Sequence, residues 1–523
     1  MRNIAIAQIQ VTFRNIVKNY TNMVDMIQCA REKRTTIIVF PSYSLSGELQ
    51  RENSKEIDPE YLEYVHKIAL LSKDIDILWS DISKHGTSIY LATNGELHEY
   101  STIPSVVEIQ GEKVLVTNTL NHVEGYDHIF HLANDPWQYD SVKSIPKYAT
   151  YVYVNGVGAY NIGKNVYVFD GDSYLSVDGE IVVQCNDAFR SDLKVYSGSK
   201  DISKRCSHKL LEALLYGIRE FDSQVFSWHP KWIIGLSGGL DSTINAALLV
   251  LALGQDRVIG YNLATRYNSI STKENARELA RKLGIQFSEG SIEKLVEATK
   301  DTIKDFGYTQ EIPTSIQENI QARIRGHMLS TFAAMHNGVI CNNGNKVEIA
   351  LGYCTLYGDT IGALSPLGDL YKSDLFELAK QINAVYKEAI IPSNLLPVVG
   401  ESIQWEVPPS AELKEGQRDP MKWFYHDAMI DHILTHGVEH YVEAYVEGRL
   451  MSDPIFRKWL SYYGLDSDPE AFFTDLEWVV RMMHITTFKR IQLPPMITLR
   501  TNAYGITREF QGILQYSKRY QEL

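Results

Sequence analysis

The sequence predicts an α/β protein of two domains, and three observations carry that expectation. Over the first 195 residues, short apolar runs alternate with amphipathic helical stretches, the pattern of a layered α/β structure with some antiparallel pairing. From Trp232 onward the order becomes strand, helix, strand, helix, which indicates a parallel, doubly wound sheet. Between them, SGSKDISKRCS (196–206) is small, polar and mixed in charge, and reads as a linker joining domains 1–195 and 207–523.

In the first domain, Ile4–Ile9, Ile37–Phe40, Ser88–Ala92, Val114–Val116, His128–Leu132, Tyr151–Val154, Val166–Phe169 and Glu180–Gln184 are strand candidates. Helices are expected at Val17–Arg31 and Pro59–Leu71. Asn-Gly at 94–95 and Asp-Gly at 178–179 are hairpin signals, because both residues of such turns need positive φ. After the linker, Leu210, Leu211, Leu214, Leu215, Ile218 and Phe221 recur at helical spacing across Lys209–Val225. The second domain then reads Trp232–Leu236 (strand), Ser242–Leu253 (helix), Val258–Leu263 (strand), Thr272–Leu283 (helix) and a strand near Val339–Cys341. Its last hundred residues are helical.

The chain has 523 residues, 44% hydrophobic and 22% charged, with a net charge of −13. That acidic balance argues against a nucleic-acid partner, which needs clustered Lys and Arg, but leaves room for small phosphorylated ligands. Five cysteines without a CxxC pair indicate free thiols in a reducing compartment. No signal-like leader and no 18-residue apolar window is present, so the expectation is a cytoplasmic protein with no membrane partner.

Chemistry concentrates in IIGLSGGLDST (233–243), where a buried strand runs through Ser-Gly-Gly into a helix. Gly238 and Gly239 let the backbone turn tightly, and the helix N-terminus presents unpaired N–H groups to an anion such as pyrophosphate. Ser237 and Ser242 add hydroxyls, and Asp241 is placed to hold Mg²⁺ over phosphates. The spacing is neither GxxxxGK[ST] nor GxGxxG.

The stretch resembles the SGGxDS loop of the ATP pyrophosphatases. Together with ENIQARIRG (318–326), NGNKVEIALGYCTLYGD (343–359), DLYKSD (369–374), SAEL (410–413) and FKRIQLPP (488–495), it resembles the synthetase half of bacterial NAD synthetases. That resemblance implies a Rossmann-like domain of the ATP-pyrophosphatase type. It also implies a ligase that adenylates the nicotinate carboxylate of nicotinic acid adenine dinucleotide with Mg-ATP, and lets ammonia displace AMP to give NAD. On this basis Ser237, Gly238, Gly239, Asp241 and Ser242 hold ATP's phosphates, and Arg266 lies beside the adenine. Asp241 and Glu348 carry Mg²⁺; Asn319, Arg323 and Asp359 bind the dinucleotide; Lys372 and Lys489 offset phosphate charge. A homo-oligomer built on a dimer is also implied. Asn343, Val347 and Pro420 depart from the family's usual residues.

The front half resembles the nitrilase-like glutaminase of these synthetases, in a shortened and degenerate form. That enzyme needs a Glu base, a Lys and a nucleophilic Cys. After the strand IIVFP stands Ser42 instead of the acid, with Glu48 the only acid nearby. LVTNTL (115–120) puts Thr117 or Asn118 where the cysteine belongs, and EYSTIP (99–104) contains no lysine. Cys29, on the inward pattern of its helix, and Cys185, too late in the order, are poor substitutes. A shell without glutaminase activity is therefore expected, with ammonia drawn from solution or from a separate glutaminase. Two other readings stand beside it: an adenylating amide synthetase acting on a different carboxylate, and a non-catalytic nucleotide-binding assembly protein.

Overall fold

The computed structural model describes residues 3–504 apart from 48–57, 121, 122, 124, 143 and 387. Glu48 lies outside the described residues. Two compact units emerge, one comprising 1–161 with 167–221, the other 162–166 with 222–523. The division at Phe221/Asp222 falls later than the 196–206 segment. The reason is that helix Lys209–Val225 buries Leu210, Leu211, Leu214 and Ile218, and that Asp201–Ile202, inside the segment, pairs as a short strand with Glu180–Gln184.

The strands of the first unit, in chain order, are β1 (Ile4–Gln8), β2 (Ile37–Ser42), β3 (Asp76–Ser83), β4 (Gly86–Thr93), β5 (Glu96–Tyr100), β6 (Ser105–Ile109), β7 (Glu112–Thr117), β8 (His128–Leu132), β9 (Thr150–Val154), β10 (Val157–Ile162), β11 (Asn165–Asp170), β12 (Tyr174–Val177), β13 (Glu180–Gln184), β14 (Asp192–Tyr196) and β15 (Asp201–Ile202). One sheet runs β14-β1-β2-β3-β4-β5 and the other β15-β13-β12-β9-β8-β7-β6. The period-2 alternation sends Ile4, Ile6, Ile37 and Val39 of the first sheet against Val114, Val116, Phe130 and Val152 of the second. The opposite face of the first sheet (Ala5, Ala7, Ile38, Phe40, Trp79) is covered by α1 (Ile16–Glu32) and α2 (Pro59–Leu70). Strands buried on both faces read as continuous apolar runs, as β1 and β2 do.

Both hairpin signals hold. Asn94 and Gly95 take φ of 52° and 85° between β4 and β5, and Asp178 and Gly179 take 51° and 84° between β12 and β13. Cys29 is a correction. It is exposed, because the buried line of α1 runs through Met23, Ile27 and Ala30, one residue out of phase with the thiol.

In the second unit, after α3 (Lys209–Val225), four parallel strands are ordered β18-β17-β16-β19: β16 (Trp232–Gly235), β17 (Val258–Ala264), β18 (Gln286–Ser291) and β19 (Val339–Cys341). The connecting helices are α4 (Leu240–Leu253), α5 (Ile270–Leu283), α6 (Glu293–Asp305) and α7 (Thr314–Met335). After β16 the chain proceeds to β17 on one side, while β19 returns on the other. That switch point opens a crevice beyond the strands' C-terminal ends. Helices α8 (Lys346–Leu351), α9 (Lys372–Tyr386), α10 (Tyr425–His436), α11 (Val438–Val446), α12 (Pro454–Tyr463) and α13 (Pro469–Ile485) follow, most of them around a second core rich in aromatic residues such as Trp423, Tyr425, Tyr441 and Phe472. Among the described residues no helix is long and apolar enough to cross a membrane.

Candidate active site

The Ser-Gly-Gly turn leaves β16 and enters α4 at the switch point. Gly238 sits at φ +83°, and a Cβ there would lie 1.8 Å from the Thr272 carbonyl oxygen, so only glycine lets the turn approach α5 this closely. Gly239 is the N-cap of α4 and has no side chain to satisfy the first N–H groups. Ser237 Oγ accepts from Gly239 N at 3.2 Å and lies 3.1 Å from Ser242 Oγ. The result is an open helix N-terminus ringed by hydroxyls, suited to an anion.

Asp241, in the first turn of α4, meets residues from two other elements. Its Oδ2 is 2.5 Å from Lys372 Nζ at the start of α9, and its Oδ1 accepts from Asn345 Nδ2 at 3.1 Å. Asn345 also caps α8: its Oδ1 accepts from Glu348 N, while Glu348 Oε2 accepts from Asn345 N, the reciprocal arrangement of a capping box. One asparagine thus ties the helix bearing Glu348 to the helix bearing Asp241. Lys372 is held in turn by its neighbours. Asp374 accepts from Tyr371 N, Asp427 accepts from Ser373 N, and Arg500 pairs with Asp374 at 2.7 Å.

Burial pushes Glu348 up to about 8, Asp241 adds to the rise, and Lys372 opposes it. Burial disfavours the Lys372 charge, yet Asp241, Glu348 and Asp419 override it and hold the ammonium above its ordinary range. Asp419 is raised chiefly by burial, and its Oδ1 is enclosed without a hydrogen-bond partner. Three carboxyl groups around one ammonium leave spare oxygen donors. That donor set fits a hard cation such as Mg²⁺, which takes one or two carboxylates and completes its shell with phosphate and water. Among the described residues no cluster of three or more His, Cys, Asp or Glu is arranged to hold a metal ion.

These groups open into a cavity of about 320 Å³, within the range of small-molecule sites. Of the residues expected from sequence, Ser237, Gly239, Asp241, Ser242, Glu348, Asp359 and Lys372 line it. Asp359 accepts from Thr355 N at 2.5 Å; although reachable from the cavity, it is raised to about 6 by the enclosing protein. Gly238 shapes the turn from behind.

The remaining expected residues stand around the rim. Asn319 Oδ1 accepts from Thr355 Oγ1 at 2.7 Å, and Arg323, exposed on α7, donates to the Leu356 carbonyl. Both therefore touch the loop that carries Asp359. Gly326 belongs to the same contact, since a Cβ there would meet Gly358 O at 2.7 Å. Lys489 Nζ donates to the carbonyls of Gly352 and Cys354. Arg266 is paired on the surface with Glu293 and Glu297 and is not among the cavity's lining residues.

Sequence reasoning did not single out Arg325, Asn268 or Glu412 as site residues, and took Asp419 only as a loop residue beside Pro420. Arg325, two residues beyond Arg323, lines the cavity; burial pulls its guanidinium down to about 10, against the pull of Asp359 and Glu412. Its Nε donates to Leu263 O at 3.0 Å. In the first unit, Ser42 Oγ donates to Leu132 O at 2.6 Å, and Thr117 Oγ1 donates to Thr119 O at 2.6 Å.

Residues 222–453 match the family model of NAD synthase. The chain is 27% identical over 478 residues to a glutamine-dependent NAD(+) synthetase of Acinetobacter baylyi, an alignment covering 80% of this chain and 84% of that one. It is 33% identical over 282 residues to the Synechocystis enzyme of the same description, covering 51% of this chain but about half (47%) of that relative's length. A solved glutamine-dependent NAD+ synthetase from Acinetobacter baumannii, in complex with adenosine diphosphate, superimposes with a TM-score of 0.64 at 24% identity, covering 97% of each chain. Residues 222–453 thus match the NAD synthase model, within a chain that is similar over most of its length to a glutamine-dependent NAD(+) synthetase.

Proposed function

We propose that this protein makes NAD from nicotinic acid adenine dinucleotide, ATP and ammonia. The observation that carries the proposal is the convergence of the Ser-Gly-Gly turn, Asp241, Glu348 and Lys372 on one cavity at a sheet switch point. In this reading the α4 N-terminus and the Ser237 and Ser242 hydroxyls bind ATP's phosphates. Asp241 and Glu348 hold Mg²⁺, which when bound neutralises phosphate charge and orients the reacting oxygens. The nicotinate carboxylate attacks the α-phosphorus and pyrophosphate leaves. Lys372, fixed by Asp241, offsets the negative charge that develops, a role that calls for positioned cations more than covalent help. Ammonia then attacks the adenylated carbonyl carbon, AMP leaves, and the ammonium proton passes to solvent. Asp359, Asn319 and Arg323, clustered on the 352–359 loop and the facing stretch of α7, are proposed to bind the dinucleotide.

The nitrogen source completes the proposal. Ser42 and Thr117 spend their hydroxyls on main-chain carbonyls, and neither is a thiol or a carboxylate. This supports a front unit without glutaminase activity and ammonia arriving from solution or a separate glutaminase. A cytoplasmic homo-oligomer built on a dimer is part of the same proposal. The test is incubation with nicotinic acid adenine dinucleotide and Mg-ATP, with ammonium or glutamine, following pyrophosphate and NAD. NAD formation with ammonium is expected; pyrophosphate release that is indifferent to the dinucleotide would overturn the substrate assignment.

A further inference from the structure

The segment 405–419 crosses the cavity, and its Pro408, Ser410, Glu412 and Asp419 form part of the wall. One side chain secures it on the ATP side. The Glu412 carboxylate accepts from Asn268 Nδ2 at 3.0 Å, from Ser269 N at 3.3 Å, and from Thr272 Oγ1 at 2.9 Å. These donors are the residues that begin α5, whose N-terminal dipole also favours a carboxylate. Thr272 is the residue whose carbonyl packs against Gly238 in the phosphate turn. Asn268 Oδ1 in turn accepts from Arg325 Nη2 at 3.3 Å on α7. Glu412 itself adopts φ +49°, an unfavourable conformation for a non-glycine residue, which persists only where the surroundings over-determine it.

The two residues that follow Glu412 are held separately, by α7. Gln321 Nε2 donates to Leu413 O at 2.9 Å, and Lys414 pairs with Glu318 at 2.9 Å. The strap is thus bridged between α7 and the α5 start, with Glu412 as its link to the latter.

We infer that Glu412 is a positioning residue that latches this strap onto the start of α5, so that closure of the cavity and the set of the 265–272 loop beside the phosphate turn occur together. The inference rests on the proposed use of the cavity for ATP. Charge-assisted hydrogen bonds from one carboxylate to three residues concentrate the closing energy in a side chain that touches no reacting atom.

The test uses the full chain and the variants Glu412→Gln and Thr272→Val. Glu412→Gln keeps shape but offers one acceptor oxygen and turns an amide toward N–H donors. A roughly tenfold or greater rise in KM for ATP is expected, with a much smaller change in kcat and an unchanged melting temperature. Thr272→Val should act on the same interaction, so that the double variant is little worse than Glu412→Gln alone. A readout independent of NAD formation is tryptic cleavage at Lys414 and Arg418. ATP should slow it in the wild type and much less in Glu412→Gln. Wild-type KM and wild-type protection in Glu412→Gln would overturn the latch, as would a fall in melting temperature that accounts for the whole loss. If the wild type makes no NAD yet ATP protects the strap through Glu412, the substrate reading fails and the latch stands.

Discussion

Replacing Lys372 by methionine tests the centre of the site, because it removes a charge and keeps length and volume beside Trp423, over whose ring Nζ sits at 5.2 Å. Lys372 is 3% exposed and pairs with Asp241 at 2.5 Å. Removing one partner of a buried pair destabilises by about 3–5 kcal/mol, since the other charge is left unmatched. Glu348 softens that figure. With its titration pushed up to about 8, roughly nine-tenths of it is already neutral at pH 7, so the loss falls mainly on Asp241. Asp241 is 18% exposed at its side chain, which places the expected loss near the lower bound, about 3 kcal/mol. In a domain of this size that lowers the melting midpoint by about 5 °C or more. The pH dependence carries the sharper test. Glu348 titrates higher folded than unfolded, so it opposes folding increasingly as pH rises from about 4.5 toward 8, and Lys372 limits that opposition. Without the ammonium the folded carboxyl titrates higher still, so the share of the penalty that Glu348 contributes should be negligible below about pH 7 and should grow between about pH 7.5 and 9.5, where only the wild type ionises it within the fold. Thermal melts across that range, beside pyrophosphate-release assays at pH 7.5, provide the measurement. A penalty constant with pH, or wild-type pyrophosphate release by the variant, would refute the electrostatic argument.

Four further outcomes are expected. Asp241→Asn and Glu348→Gln should each abolish pyrophosphate release in a folded protein, and Glu348→Gln should gain stability above pH 8, where the native carboxylate is charged; turnover at the wild-type rate would remove the metal assignment. Binding of Mg²⁺ at pH 7.5 should release protons, measurable as a buffer-dependent heat, because Glu348 must ionise to act as a ligand; a heat independent of buffer would count against it. Arg323→Ala should weaken the dinucleotide about tenfold or more with ATP affinity kept, since the side chain reaches the Leu356 carbonyl beside the Asp359 loop and not the Ser-Gly-Gly turn; equal loss of both would undo that division. With ammonium as donor the rate should climb between roughly pH 7 and 9, because NH₃ is the nucleophile. Glutamine should support no rate above contaminating ammonia, and Cys29→Ala and Cys185→Ala should leave activity unchanged; glutamine hydrolysis lost in either variant would restore a working thiol to the front unit.

What the sequence determined by itself is whatever depends on neighbours within a few residues. The phosphate turn was legible because a strand, two glycines and a helix start are contiguous, and Gly238 at φ +83° is the conformation such a turn requires. The Asn-Gly and Asp-Gly hairpins were legible for the same reason. Strand β3 was not, because DILWSDIS buries a carboxylate: Asp81 is wholly enclosed and accepts from Leu45 N and Ser46 N, a solvation invisible without the fold. Only the tertiary structure brought Asn345 to Asp241, 104 residues away in the chain, and added Asp419 to the charges around Lys372. Only it distinguished Arg325, which lines the cavity, from Arg323, which stays exposed on the rim. Residues two apart on a helix point about 200° apart, and a motif names both without saying which face meets the ligand. The sequence carried the turn and the chemistry of its residues. The packing of α4, α8 and α9 around one ammonium decided where that chemistry is concentrated, because electrostatic coupling depends on distance through space and burial, and neither is written in chain order.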